Sequence, residues 1–144
     1  MLKADTRLRF AVWIARLALA ATLLSAVADR FGIWGPPGAQ HVSWGDWPHF
    51  VAYCAKVNSF APKALIPVLA WAATVLEAAF GVLLLAGVYL EAVAYATALL
   101  FALFALAMTI SFGPKSPLDY SVWGDMAAAL LLAILASHPQ QINQ

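Results

Sequence analysis

Two ionisable residues, Arg16 and Glu77, lie inside long apolar runs and carry the strongest chemical signal in the chain. A charged side chain at the centre of a bilayer costs about 2.5–3.5 kcal/mol on insertion scales, so such residues are usually paired or functional. If both runs are membrane helices, Arg16 lies about 9 Å and Glu77 about 15 Å from the same surface, at about 1.5 Å per residue. An arginine side chain can bridge that difference. We therefore expect Arg16 and Glu77 to form a buried polar pair.

Two interpretations of this pair are open. It either locks the packing of two helices or forms part of a polar pocket for a quinone head group or a proton. Small residues on the helical face of Glu77 would let a neighbouring helix approach and shield it. They are Ala70, Ala73, Thr74 and Gly81, and a similar stripe on the next run contains Ala98, Ala102, Ala105 and Thr109.

A second group of polar residues gathers where apolar runs end, on the side opposite the N-terminus. It contains Asp29, Arg30, Asp119, Tyr120 and Asp125. Residues in such positions are mostly a solvated rim or helix caps. If the rim were instead the mouth of a ligand site, Asp29 and Asp125 would point toward the bundle axis.

Several other kinds of chemistry find no support in the sequence. Cys54 is the only cysteine, which excludes an intramolecular dithiol relay. His41 and His49 lack zinc-motif spacing, so we expect no metal site. Asp46 and His49, three residues apart, are expected to be a helix cap and a surface residue. The net charge of +1 without a basic cluster argues against nucleic-acid binding.

Composition identifies the solvent that surrounds these residues. Hydrophobic residues make up 64% of the 144 residues and charged residues 10%, and the mean hydropathy is +0.82. A soluble domain of this size has too little interior to bury so much apolar surface. We expect a single all-α membrane domain over 1–144, a four-helix bundle in a lipid bilayer. The four spans are predicted at 10–28, 64–87, 92–112 and 120–137, and the second and third form a tight hairpin.

The long connection after the first span contains a predicted amphipathic helix at about 44–57. Apolar residues recur there at spacings of three and four, and Ser43 and Asp46 fit an S-x-x-D helix start. We expect this helix to lie on the outer leaflet or to cap the bundle.

Basic residues near the N-terminus predict the orientation. Lys3, Arg7 and Arg9 precede the first span and favour a cytoplasmic N-terminus, and four spans return the C-terminus to the same side. The same segment has features of a signal peptide, but Arg16 interrupts its apolar core, so we expect a retained span.

Three short segments, together with Arg16, resemble the DoxX family of small bacterial membrane proteins. The segments are SAVADRFG at 25–32, LEAAFGVLLLAG at 76–87 and KSPLDYSVW at 115–123. The chain departs from the family at 88–91, where members usually carry a basic residue after the glycine.

The resemblance implies a four-helix inner-membrane bundle that is a subunit or accessory of a quinone-linked oxidoreductase. It directs attention to Arg16, Glu77, Asp29 and Tyr120. Two alternatives remain: a lipid- or small-molecule-binding bundle or carrier with a pocket near Glu77, and a structural homo-oligomer that uses the small-residue stripes as protomer interfaces.

Overall fold

Helices account for all the regular secondary structure in residues 4–137, the part of the chain that the computed structural model describes. The all-helical prediction is therefore confirmed for this part. Lys3 of the N-terminal basic group lies outside the described residues. In chain order the helices are α1 Ala4–Arg30, α2 Trp47–Val57, α3 Ile66–Ala86, α4 Leu90–Phe112, α5 Lys115–Asp119 and α6 Val122–Ala136, with a 3₁₀ turn at Lys63–Leu65 before α3.

Three of these helical segments are long and apolar enough to cross a membrane: Thr6–Arg30, Lys63–Ala86 and Leu90–Phe112. Helix α6 has 15 residues, about 22 Å at 1.5 Å per residue, which is shorter than the roughly 20 residues a span usually needs. Large apolar side chains, among them Leu103, Ile110 and Leu131, are exposed on the outside of the helices. Such a surface is compatible with a membrane bundle.

The long helices pack in two main pairs, α1 with α3 and α4 with α6. Helices α1 and α3 are antiparallel, because Leu24 of α1 lies against Gly81 while Arg16 lies against Gly87. A Cβ atom on residue 81 would lie 2.7 Å from Cγ of Leu24, so the glycine permits the close approach. The turn between α3 and α4 is only three residues long, as expected for a tight hairpin.

The small-residue stripes face other helices of the same chain. Ala70, Thr74 and Gly81 are buried on α3, and Ala98 and Ala105 are buried on α4. These five residues are buried against other helices of the same chain, so they are not free to contact a second copy.

Helix α2 lies across one end of the bundle and contacts α1, α3 and α4. Its buried face contains Phe50, Cys54 and Val57. The helix begins at Trp47 rather than at 44 because Asp46 is the N-cap, accepting a hydrogen bond from the backbone N–H of His49 at 2.9 Å. The backbone N–H of Ser43 is instead bound by Asp29. The amphipathic segment therefore caps the bundle.

Candidate functional site

The structure does not bring Arg16 and Glu77 together, and the expected pair is corrected: the partner of Glu77 is Arg30. Nη2 of Arg30 forms an ion pair with Oε2 of Glu77, and their side chains are only 3% and 5% exposed. Nη1 of Arg30 donates to Oγ1 of Thr74 at 2.7 Å. The Thr74 hydroxyl in turn donates to the carbonyl oxygen of Ala70 at 2.8 Å. One arginine thus joins the end of α1 to two positions on α3.

The register of α1 against α3 explains why Glu77 pairs with Arg30 and not with Arg16. Arg16 lies beside Gly87, ten residues along α3 from Glu77, a displacement of about 15 Å along the helix axis. Helix α1 also continues two residues beyond the predicted end at 28, which carries Arg30 into the interface. The interpretation of Arg30 as part of a solvated rim is therefore wrong, because it is 2% exposed.

Aromatic side chains close this centre from the side of α2. The guanidinium carbon of Arg30 lies 3.8 Å from the ring centroid of Phe50 and 5.4 Å from that of Trp44, within the range of cation–π attraction. Nε of Arg30 is buried without a hydrogen-bond partner among the described residues. The ion pair is therefore held in a largely desolvated setting, where separating the charges would be costly.

Cys54 lies on the buried face of α2, together with Phe50. Burial raises the pKa of its thiol to about 11, although the nearby Arg30 acts in the opposite direction. A thiol with this pKa is almost entirely protonated near neutral pH and reacts slowly as a nucleophile.

Asp29 is also buried, at 6% exposure, and it organises the loop before α2. Its carboxylate accepts hydrogen bonds from the backbone N–H groups of Ser43, Trp44 and Gly45 at 2.8, 3.3 and 3.2 Å. The rim interpretation of Asp29 is therefore also wrong. Its carboxylate is occupied by the loop rather than directed to a ligand mouth.

The remaining predicted rim residues lie nearer the surface. Asp119 accepts hydrogen bonds from Nζ of Lys115 at 2.7 and 2.5 Å, and both Asp119 and Tyr120 are exposed. Asp125 is partly buried in the first turn of α6, where a negative charge complements the helix dipole.

Arg16 has a different role at the opposite end of α3. Its Nε donates to the carbonyl oxygen of Leu84, and its Nη2 donates to that of Leu85, each at 2.9 Å. Both carbonyls belong to the last turn of α3, where no intrahelical partner follows. The guanidinium also lies 4.3 Å from the ring centroid of Trp13. Arg16 therefore caps the C-terminus of α3.

An open groove of about 700 Å³ adjoins Arg16 at this end of the bundle. Its polar and aromatic lining comes from α1 and from the start of α4, and includes Arg9, Trp13, Arg16, Tyr89, Glu91 and Tyr95. Glu77 does not line this groove, nor does it line a second, mostly apolar cavity beside α2. The structure therefore separates the buried ion pair from both of these cavities.

The arrangement defines a class: an all-helical bundle with three helices able to cross a membrane and a closed Arg–Glu pair between two of them. Comparisons with protein-family models, with curated proteins and with solved structures find no match for the chain.

Sequence reasoning missed three relationships: the Arg30–Glu77 pair, the capping of α3 by Arg16, and the hydrogen bonds from the loop before α2 to Asp29. Helices α1 and α3 are far apart in sequence, so no short turn defines their register. One available signal was Gly87, since a left-handed glycine after a helix marks a C-terminus with open carbonyl groups.

Proposed function

We propose that the protein is an integral membrane bundle that acts by binding, as an accessory subunit of a quinone-linked oxidoreductase in a bacterial inner membrane. The observation that supports a non-catalytic role is the closed Arg30–Glu77 pair, in which the Arg30 guanidinium is directed at Glu77 and at Thr74. A buried and paired centre of this kind stabilises the contact between α1 and α3. The link to an oxidoreductase comes from the resemblance to the DoxX family.

The membrane part of the proposal includes four spans. Helix α6 packs along α4, and its composition is apolar apart from Asp125 in the first turn. In this arrangement α6 is a short fourth span, and α2 lies at the outer surface. Arg7 and Arg9 then lie on the cytoplasmic side, as the positive-inside rule favours.

The Arg30–Glu77 centre does not fit a quinone head group. Both terminal nitrogens of Arg30 are engaged, and its Nε, which has no partner among the described residues, is buried. Phe50 and Trp44 cover the guanidinium, so a quinone carbonyl has no access to this donor. In this proposal the quinone therefore belongs to the partner enzyme.

Deletion and rescue test the accessory role. Membranes from a strain that lacks the gene should lose quinone-linked oxidoreductase activity, and the wild-type gene should restore it. The protein should also remain in the membrane after alkaline carbonate extraction and co-purify with an oxidoreductase subunit in mild detergent. Unchanged activity in the deletion strain would reject the accessory role, while extraction by carbonate would reject the membrane assignment.

The second candidate function, a lipid- or small-molecule-binding bundle, is favoured by a different observation. The groove beside Arg16 combines charged and aromatic side chains and opens at the end of the bundle. The pocket for this alternative lies there and not at Glu77.

A further inference from the structure

We infer that the groove at the start of α1 binds the phosphate of an anionic phospholipid, with Arg9 as its main charged contact. This inference rests on the membrane assignment proposed above but not on the oxidoreductase partner. It concerns a site separate from the Arg30–Glu77 centre.

The charges lining the groove favour an anion. Arg9 and Arg16 contribute two positive charges, and Glu91 contributes one negative charge. Arg9 is exposed and has no hydrogen-bond or ion-pair partner within the described residues. Arg16 uses Nε and Nη2 on the carbonyls of Leu84 and Leu85, so its Nη1 is the nitrogen available to a ligand. Guanidinium groups suit phosphate oxygens because their donors are arranged as a planar fork.

The aromatic residues of the groove favour a lipid over a soluble anion. Trp13, Tyr89 and Tyr95 are 51%, 81% and 43% exposed, and the chain surface next to them carries exposed Phe10 and Ile14. Aromatic rings with one polar edge concentrate at the head-group level of membranes. A phospholipid can therefore place its phosphate at the arginines while its acyl chains continue along the apolar surface.

Helix α1 offers a matched control. Arg7 is exposed and carries the same charge two residues earlier, but it does not line the groove. Residues two apart lie about 200° apart around a helix. Arg7→Gln and Arg9→Gln thus remove equal charge from the same helix end, and only the second removes it from the groove.

Binding is measured by native mass spectrometry of the full chain in detergent, titrated with phosphatidylglycerol or with zwitterionic phosphatidylcholine. Wild type should retain phosphatidylglycerol in preference to phosphatidylcholine. Arg9→Gln should weaken phosphatidylglycerol binding about fivefold, the factor that corresponds to roughly 1 kcal/mol per basic residue near a membrane surface. Arg7→Gln should leave it unchanged, and Glu91→Gln should strengthen it because a repulsive charge is removed.

Four results would overturn the inference. Equal weakening by Arg7→Gln and Arg9→Gln would indicate diffuse surface charge, and displacement of the lipid by excess inorganic phosphate would indicate a soluble anion site. An unchanged affinity in Glu91→Gln would show that the lipid phosphate lies elsewhere, and this variant remains informative if Arg9→Gln fails to fold. Carbonate extraction of the membranes from which the protein is purified tests the membrane assignment separately, so a membrane-embedded protein without lipid preference would contradict only this inference.

Discussion

Arg16 occupies the space that a side chain on residue 87 would need. A Cβ atom on Gly87 would lie 2.9 Å from Cζ of Arg16, and the backbone there has a φ of +71°. Gly87 therefore ends α3 in the left-handed conformation and leaves room for the guanidinium that binds the carbonyls of Leu84 and Leu85. The two residues form one capping unit.

Gly87→Ala should destabilise the bundle by two additive effects. The left-handed backbone costs about 1–2 kcal/mol for a residue with a Cβ, and displacement of the Arg16 guanidinium breaks its hydrogen bonds to the carbonyls of Leu84 and Leu85, at about 1.5–3 kcal/mol for a charged donor. The matched control is Gly38→Ala, since Gly38 also has a positive φ, +84°, but has no atom within 4 Å of the Cβ position. Unfolding titrations in sodium dodecyl sulfate measure both. If Gly87→Ala costs no more than Gly38→Ala, Arg16 does not depend on the glycine.

Gly81→Ala should separate α1 from α3, because the new methyl group meets the side chain of Leu24. We expect a loss of about 1–3 kcal/mol in unfolding free energy. In a Leu24→Ala background the same substitution should be neutral or stabilising. Gly124→Ala is the control, because the nearest neighbour of the new Cβ atom is Cβ of Ser121 at 3.9 Å. The higher helix propensity of alanine should increase the unfolding free energy of this variant by at most about 1 kcal/mol. A loss that persists in the Leu24→Ala background would contradict this packing.

Asp29→Ala should release the loop before α2 and expose Cys54, because three backbone N–H groups lose their acceptor. Alkylation of the folded wild type by iodoacetamide should be slow near neutral pH and should accelerate as the pH rises toward the thiol pKa of about 11. Asp29→Ala should label faster at each pH, whereas Asp119→Ala, which removes an exposed carboxylate, should label like wild type. Equal labelling rates in all three proteins would show that Asp29 does not hold α2 and its preceding loop in place.

Residue types and periodicity predicted an all-helical chain because helix formation depends on local pattern. The tight α3–α4 hairpin and the amphipathic α2 both follow from features within a few residues of each other. The partner of Glu77 could not be obtained in the same way. It depends on the axial register of α1 against α3, and that register is determined by contacts such as Leu24 with Gly81.

Asp29 and Arg30 illustrate the same limit. Adjacent charged residues at the end of an apolar run resemble a solvated rim, and only the position of α2 and its preceding loop shows that both are buried. Asp29 binds the loop before α2, and Arg30 binds Thr74 and Glu77. A sequence pattern cannot reveal which later segment folds over the end of a helix.

The Arg30–Glu77 pair offers the most direct test of the central claim that this centre locks the bundle rather than acting as a reaction site. Glu77→Leu leaves Arg30 buried without its counter-charge and should lower the unfolding free energy by about 3–5 kcal/mol. Arg30→Met combined with Glu77→Leu removes both charges, and should recover most of that stability together with the proposed quinone-linked activity of the membranes. A double variant that is as stable as wild type but inactive would contradict the account, as would a Glu77→Leu protein that unfolds like wild type.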